Sequence, residues 1–156
     1  MVKVTLKNLT KRYGKIIAVD RLSLEISNRS LTVLLGPTGA GKTTTLKCIS
    51  GVLAPDEGEI LFDDEPVTGI PPWERNVAQF FQTYALYPHL SVYDNIAYPL
   101  RESGLSKSEV DKRVKEVAEK LRISYLLDRK DPSTLSGGEM QRVALARTLV
   151  REPKVF

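Results

Sequence analysis

The sequence predicts an α/β fold: an antiparallel β unit at the N-terminus, a core built on a glycine-rich loop between a strand and a helix, and an inserted helical unit. Three observations lead there. Val2 to Lys7 and Leu22 to Ile26 alternate apolar and polar with period two. A nearly all-apolar run, Leu31-Thr32-Val33-Leu34-Leu35, ends at a glycine-rich loop that opens a helix. From Ser91 onward the apolar spacing changes to that of helices.

In chain order, Val2, Val4 and Leu6 alternate with Lys3, Thr5 and Lys7, and Tyr13-Gly14-Lys15 reads as a turn. A second extended stretch, Ile16 to Ile26, places Leu22, Leu24 and Ile26 between Ser23 and Glu25, so an antiparallel pair is expected. The run 31–35 has the composition of a strand covered on both faces. Lys42 to Ser50 follows as a helix with Leu46 and Ile49 facing inward, closed by Gly51. Pro55-Asp56-Glu57-Gly58 is a turn before a strand from Glu59 to Phe62; Asp63-Asp64 and Pro71-Pro72 mark further turns, and Asn76 to Phe81 reads as another strand. Ser106 and Glu109 have the Ser-x-x-Glu spacing of a capping box. Behind them Val110, Val114, Val117, Ala118 and Leu121 share one helical face, with Asp111/Lys115 and Glu116/Lys120 as supporting pairs. The last helix starts at Ser136 with a second box through Glu139 and stops before Pro153, after which Val155-Phe156 begins another apolar strand. The expected organisation is a β unit with the phosphate-loop core over 1–90, a helical subdomain over 91–135, and a final helix and strand start over 136–156.

A length of 156 residues holds one domain, or one with a small inserted subdomain. Hydrophobic residues at 42% and charged residues at 27% exclude a disordered chain. The net charge of +4 suits an anionic ligand, nucleic acid or an acidic membrane surface, and equally a well-solvated surface with a slight lysine excess. Cys48 is the only cysteine, which leaves no internal disulfide and no cysteine metal site and points to a reducing compartment. The alternating N-terminus lacks the apolar stretch of a signal peptide, and no run approaches the roughly 18 apolar residues of a membrane span, so a membrane role is expected to be peripheral.

The chemistry concentrates in two segments. Gly36-Pro37-Thr38-Gly39-Ala40-Gly41-Lys42-Thr43 is a complete Gly-x4-Gly-Lys-Ser/Thr loop between a strand and a helix N-terminus. Its glycines allow several N–H groups to aim at one point, and the helix dipole adds positive potential there. Lys42 is placed to reach the β- and γ-phosphates of a nucleotide, Thr43 to offer a hydroxyl to Mg²⁺, and Thr44 to hydrogen-bond the α-phosphate. The second segment is Leu135-Ser136-Gly137-Gly138-Glu139-Met140-Gln141-Arg142. Two glycines behind an N-cap serine weaken a helix start yet leave its N–H groups open to an anion. Alone, this segment is equally well a plain capping box.

Together the two segments resemble the ATP-binding-cassette ATPases, whose signature reads Leu-Ser-Gly-Gly-x-x-Gln-Arg and lies on the C-terminal side of the phosphate loop. The resemblance covers the chain from Val2 to Phe156. It implies a P-loop NTPase core, ATP and Mg²⁺ as ligands, and roles for further residues. Tyr13 resembles the aromatic that stacks on adenine, with Val19 lining the same pocket, although by itself Tyr13 reads as an exposed strand tyrosine. Gln82, in Phe80-Phe81-Gln82-Thr83, resembles the Q-loop glutamine that reaches Mg²⁺ or the attacking water, so Lys42 and Gln82 are the catalytic candidates and Thr43 and Gln82 the metal ligands. Ser136, Gly137 and Gly138 are expected to face the γ-phosphate held by a second ATPase subunit in a head-to-tail dimer. The segment after Gln82 is expected to meet transmembrane permease subunits, which places the protein peripherally on the cytoplasmic face of the cell membrane.

Pro71-Pro72-Trp73-Glu74-Arg75-Asn76-Val77-Ala78 and the stretch from Tyr84 to Ile96 are most similar to the carbohydrate-importer branch. Importers of polyamines, phosphonates or inorganic anions share much of this pattern. A soluble cassette ATPase acting on nucleic acid or the ribosome is the alternative, but the interleaved charges of the 106–122 helix do not make a basic groove, and no direct nucleic-acid contact is expected. The family pattern continues through a strand ending in an Asp for Mg²⁺ and a Glu that polarises water, and later a switch histidine. These are not in the sequence, and His89 reads as a solvated loop residue rather than that switch. The resemblance therefore implies an N-terminal part of an ATPase subunit, truncated before the Walker B strand is complete, that binds ATP and hydrolyses it slowly by itself.

Overall fold

A computed structural model describes every residue except Gln82. The chain divides into two compact units, 1–77 with Val155, and 78–154 with Phe156.

The first unit is a four-stranded antiparallel sheet with two helices and short turns. Strands β1 (Val4–Tyr13), β2 (Ile16–Ile26), β3 (Glu57–Phe62) and β4 (Glu65–Pro66) lie in the order β2-β1-β3-β4. The alternation in β1 and β2 places Val4 and Leu6 inward and leaves Leu22, Leu24 and Ile26 half-buried, as a sheet with one wet face requires. The pairing register slips between Leu6 and Leu9, which shifts the inward set so that Leu9 is also fully buried. Side chains satisfy the irregularity: the Asn8 N–H donates to Ser23 Oγ, and the Arg21 N–H to Thr10 Oγ1, with Asn8 and Arg21 both at positive φ. Helix α1 (Lys42–Ser50) follows the glycine-rich loop and ends at Gly51, whose left-handed φ of 81° closes it. With Ile60, Phe62 and Val67, α1 completes a core through Cys48 and Ile49. A four-residue helix, α2 (Pro72–Arg75), starts on the Pro71-Pro72 pair, where a missing N–H costs nothing.

Three expectations are corrected here. The run 31–35 forms no strand, and Leu31, Val33 and Leu35 are exposed at 94%, 67% and 89%, because no strand among the described residues pairs with it. Leu46 is half exposed rather than inward; α1 turns Thr45, Cys48 and Ile49 to the core instead. Among the described residues the ladder contact within 76–81 is one parallel bridge, Val77 to Val155, so the start of an extended segment at Val155 is present and no strand over 76–81 is seen there.

The second unit is helical: α3 (Val92–Glu102), α4 (Lys107–Lys120) and α5 (Gly137–Leu149), with 3₁₀ turns at Ser124–Leu126 and Pro132–Thr134. Val92, Ile96, Leu100, Val110, Val114, Ile123, Leu126 and Val143 form the helical core, each at 2% exposure or less. The Ser106 cap is one-sided: its Oγ accepts the Glu109 N–H, while the Glu109 carboxylate turns to Arg113 at 2.8 Å. Lys115 pairs with Asp111 at 2.7 Å as expected, whereas Glu116 and Lys120 form no ion pair among the described residues. Truncating Ile96 to alanine at the centre of this core is expected to cost about 2–5 kcal/mol, measured as a lower denaturation midpoint at an unchanged slope.

Candidate nucleotide-binding site

The loop 36–40 is exposed, and α1 begins directly behind Gly41. Gly41 is the residue whose side chain is forbidden. It has φ of 82°, and a Cβ there would lie 2.2 Å from the Ala18 carbonyl oxygen and 3.3 Å from Val19 Cγ2. The loop end is therefore pressed against β2, and Val19, buried there, touches it. Gly39, at φ 86°, is different: a Cβ there would meet nothing within 4 Å, so its requirement is conformational and the space before it is open.

Lys42 folds back over the loop. Its Nζ donates to the carbonyls of Gly36 and Pro37, both at 2.8 Å, and the Ala40 N–H donates to the Pro37 carbonyl, which closes the loop into a ring. An ammonium carries three protons, so one donor remains for an anion. Thr45 Oγ1 donates back to the Gly41 carbonyl, while the hydroxyls of Thr43 and Thr44 have no partner among the described residues. Thr43 is exposed and Thr44 half-buried. Two unengaged hydroxyls, a lysine and the first N–H groups of a helix on one loop are the donor set that a phosphate chain with a divalent cation requires.

Tyr13 closes β1 opposite Ile16 and is 49% exposed, with Lys11 Nζ 6.0 Å from its ring centroid. Val19 pairs in register with Lys11, two residues before Tyr13. Gln82 lies outside the described residues.

Ser136, Gly137 and Gly138 open α5 in the second unit. The capping box is complete: the Glu139 N–H donates to Ser136 Oγ, and the Ser136 N–H donates to Glu139 Oε2 at 2.8 Å. Ser136 Oγ and the Tyr125 hydroxyl donate to the same carboxylate. These bonds, the Ser136 N–H first, hold the Glu139 carboxyl below the ordinary glutamate range. A Cβ on Gly137 would meet nothing within 4 Å, and on Gly138 only the tip of Arg142 at 3.9 Å. Packing therefore does not require these glycines; they leave the helix N-terminus bare. Because the folded value of Glu139 is depressed, the cap's contribution is complete above the unfolded glutamate value of about 4.3 and is lost as pH falls through the lower folded value. Glu139→Gln is expected to flatten the acid limb of the melting-temperature profile between about pH 5 and 3, and a limb of unchanged steepness would refute this assignment.

The sequence did not show the Ala18 carbonyl as the surface that excludes a side chain at Gly41, since nothing in the alternation of β2 marks a backbone contact.

A glycine-rich loop of P-loop sequence leading into α1, beside an antiparallel sheet, and a glycine-opened helix in the second unit define a P-loop protein of α/β class. The ABC transporter family description matches residues 19–156, and the chain belongs to that family. It is 49% identical to the trehalose/maltose import ATP-binding protein MalK of Thermococcus litoralis, across 100% of this chain and 43% of that protein. It is also 49% identical to the spermidine/putrescine import ATP-binding protein PotA of Rubrobacter xylanophilus, across 99% of this chain and 41% of that one. The chain thus spans less than half the length of these curated relatives. Among solved structures it is similar to MJ1267, an ATP-binding cassette of an ABC transporter, with a TM-score of 0.86 and 29% identity over 98% of this chain and 66% of that one. A dimeric bacterial cassette, MJ0796, matches with a TM-score of 0.83 and 32% identity over 96% and 70%.

Proposed function

We propose that the chain is the ATP-binding portion of an ATPase subunit that powers an importer, with sugars as the transported class. The observation that carries this is the loop 36–43, where Gly41 cannot accept a side chain, Lys42 retains a free proton, and Thr43, with Thr44 behind it, offers a hydroxyl. ATP binds there through Gly36, Pro37, Thr38, Gly39, Ala40, Gly41, Lys42, Thr43 and Thr44, with Tyr13 and Val19 toward the base. Thr43 and Gln82 would hold Mg²⁺, which would neutralise charge on the β- and γ-phosphates. Lys42 stabilises the charge that develops on the transferred phosphoryl group, and Gln82 orients the attacking water.

Ser136, Gly137 and Gly138 serve the nucleotide of a second subunit, so that ATP closes a head-to-tail dimer and closure drives the permease through the segment after Gln82. Similarity to a dimeric cassette supports the partner. Relatives named for import of trehalose/maltose and of maltose/maltodextrin support a sugar, while one named for spermidine/putrescine marks the competing class. The subunit sits peripherally at the cytoplasmic face of the membrane in this reading; no helix among the described residues is long and apolar enough to cross a bilayer. The organisation over 1–90, 91–135 and 136–156 stands as part of the same reading.

The test is the double substitution Gly137→Ala, Gly138→Ala in the full-length subunit. Alanine fits both positions without a clash and favours a helix, so stability is expected to stay level or rise by up to about 1 kcal/mol. ATP-dependent dimerisation, followed by light scattering, is expected to fall at least about tenfold, a loss of about 1.4 kcal/mol or more. Dimerisation at the unsubstituted level would remove these glycines from a partner's nucleotide.

A further inference from the structure

Residues 83–91 have no helix or strand of their own, and two helix-borne side chains hold them. Asn95, fully buried on α3, accepts the Tyr87 N–H on Oδ1 at 2.8 Å and donates from Nδ2 to the carbonyls of Tyr87, Leu90 and Ser91 at 3.0–3.1 Å. Arg147, near the C-terminal end of α5, donates from Nη2 to the carbonyls of Tyr84 at 3.2 Å and Ala85 at 2.8 Å, and from Nη1 to Asn95 Oδ1 at 3.4 Å. Its guanidinium also lies 4.7 Å from the Tyr87 ring centroid.

Two features make this a latch rather than ordinary packing. Tyr84 and Ala85 both have positive φ, 56° and 46°, a conformation that is unfavourable for a residue with a side chain and persists only where something holds it. Arg147 bonds the carbonyls of those same two residues. It forms no ion pair among the described residues, so carbonyl dipoles, the Asn95 amide and an aromatic face compensate its partial burial. If the segment straightened, the charge-assisted bonds and the cation–π contact would be lost together.

α5 is 13 residues long, and its other end carries Ser136, Gly137 and Gly138. We propose that Arg147 is a positioning residue that couples the segment 84–91 to α5, so that movement imposed on the segment by a permease reaches the helix end that faces the partner's γ-phosphate. This rests on the functional reading above. Arg147 acts through the backbone it holds, not through nucleotide or metal.

The experiment uses the full-length subunit assembled with its permease in lipid vesicles, comparing wild type with Arg147→Met and Arg147→Lys. Methionine keeps length and apolar contact; lysine keeps the charge but not the fork. In Arg147→Met, ATP affinity and the basal ATPase rate of the subunit alone are expected to stay within about twofold. Amide hydrogen exchange over 84–91 is expected to quicken at least about tenfold, and permease-stimulated hydrolysis to fall at least about tenfold, with Arg147→Lys between the two. Unchanged exchange over 84–91 overturns the latch. Quickened exchange with full stimulation overturns the coupling, and an equal fall of basal and stimulated rates shows a merely structural residue and overturns it as well. If Arg147→Met does not fold, Arg147→Lys is judged by the same three criteria. Wild-type protein that neither binds ATP nor responds to the permease overturns the functional reading itself, and with it the coupling, before any variant is compared.

Discussion

Lys42→Ala is expected to weaken ATP binding roughly a hundredfold or more while leaving the fold in place. Lys42 Nζ bonds the carbonyls of Gly36 and Pro37, two exposed loop residues. Water replaces the ammonium at both oxygens when the side chain is lost, so the stability cost is that of exposed hydrogen bonds, about 1 kcal/mol or less. Toward a nucleotide the same ammonium faces phosphate oxygens, and hydrogen bonds to charged groups contribute about 1.5–3 kcal/mol each. Losing contact to two phosphates therefore weakens binding by about 3 kcal/mol or more, roughly a hundredfold. Titration calorimetry with Mg-ATP reads the affinity, and a thermal melt reads the fold. Lys47→Ala, in the last turn of the same helix, is the control of equal charge change and is expected to bind normally. Unchanged affinity in Lys42→Ala would remove the basis for placing phosphates on this loop.

Separation of binding from folding at Lys42 reflects which parts of the protein can be read from its residues. The phosphate loop is a local device: its glycines, lysine and threonines are contiguous, and their spacing specifies what the backbone must do. The β1–β2 hairpin is legible for the same reason, since alternation and a Gly14 turn are both local. The slip at Asn8 is not legible, because the bonds that support it come from Ser23 and Thr10, which the hairpin brings together across the sheet. Leu46 meets a related limit. The helical pattern of α1 gives a face but not its direction, and the contacts that go with the observed direction, Gly41 against the Ala18 carbonyl and Cys48 and Ile49 in the sheet core, are remote in sequence. The run 31–35 shows a third limit: apolar composition states that a strand needs cover on both faces, not that a partner strand lies beside it. In the candidate site, the donor set on 36–44 is readable. The arginines that hold backbone carbonyls at a distance in sequence, Arg75 and Arg147, carry no signal, because a carbonyl acceptor can belong to any residue type.

Arg75 supports the second large effect. It is 4% exposed, and it forms no ion pair among the described residues. Nε donates to the Ile70 carbonyl at 2.6 Å, and Nη1 to the carbonyls of Cys48 and Ile49 at 2.8 and 2.9 Å. Cys48 and Ile49 lie in the last turn of α1, where the Cys48 carbonyl also accepts the Gly51 N–H at 3.1 Å, the Ile49 carbonyl lies beyond the helical ladder, and the helix dipole is negative, so a cation there is doubly favoured. Burial pushes the guanidinium value down, yet an arginine remains charged, and carbonyl dipoles compensate it. Gly51 makes the room: a Cβ at that position would lie 2.8 Å from Arg75 Nε. Arg75→Met keeps much of the volume but strands the carbonyls of Ile70 and Ile49 and leaves that of Cys48 with the Gly51 N–H alone; at about 1–3 kcal/mol for each stranded group, the expected loss is about 2–6 kcal/mol. Against the roughly 5–15 kcal/mol typical of a whole domain, that leaves the first unit marginal or unfolded. Gly51→Ala is expected to lose less, about 1–2 kcal/mol, through its positive φ and the displaced guanidinium. Because α1 begins at Lys42, a loosened C-terminal turn also costs the phosphate loop its anchor, so ATP affinity should fall with stability in Arg75→Met but not in Lys47→Ala. Urea denaturation checks the first claim and calorimetry the second; an Arg75→Met midpoint corresponding to a loss under about 1 kcal/mol would mean that water, not the arginine, satisfies the end of this helix.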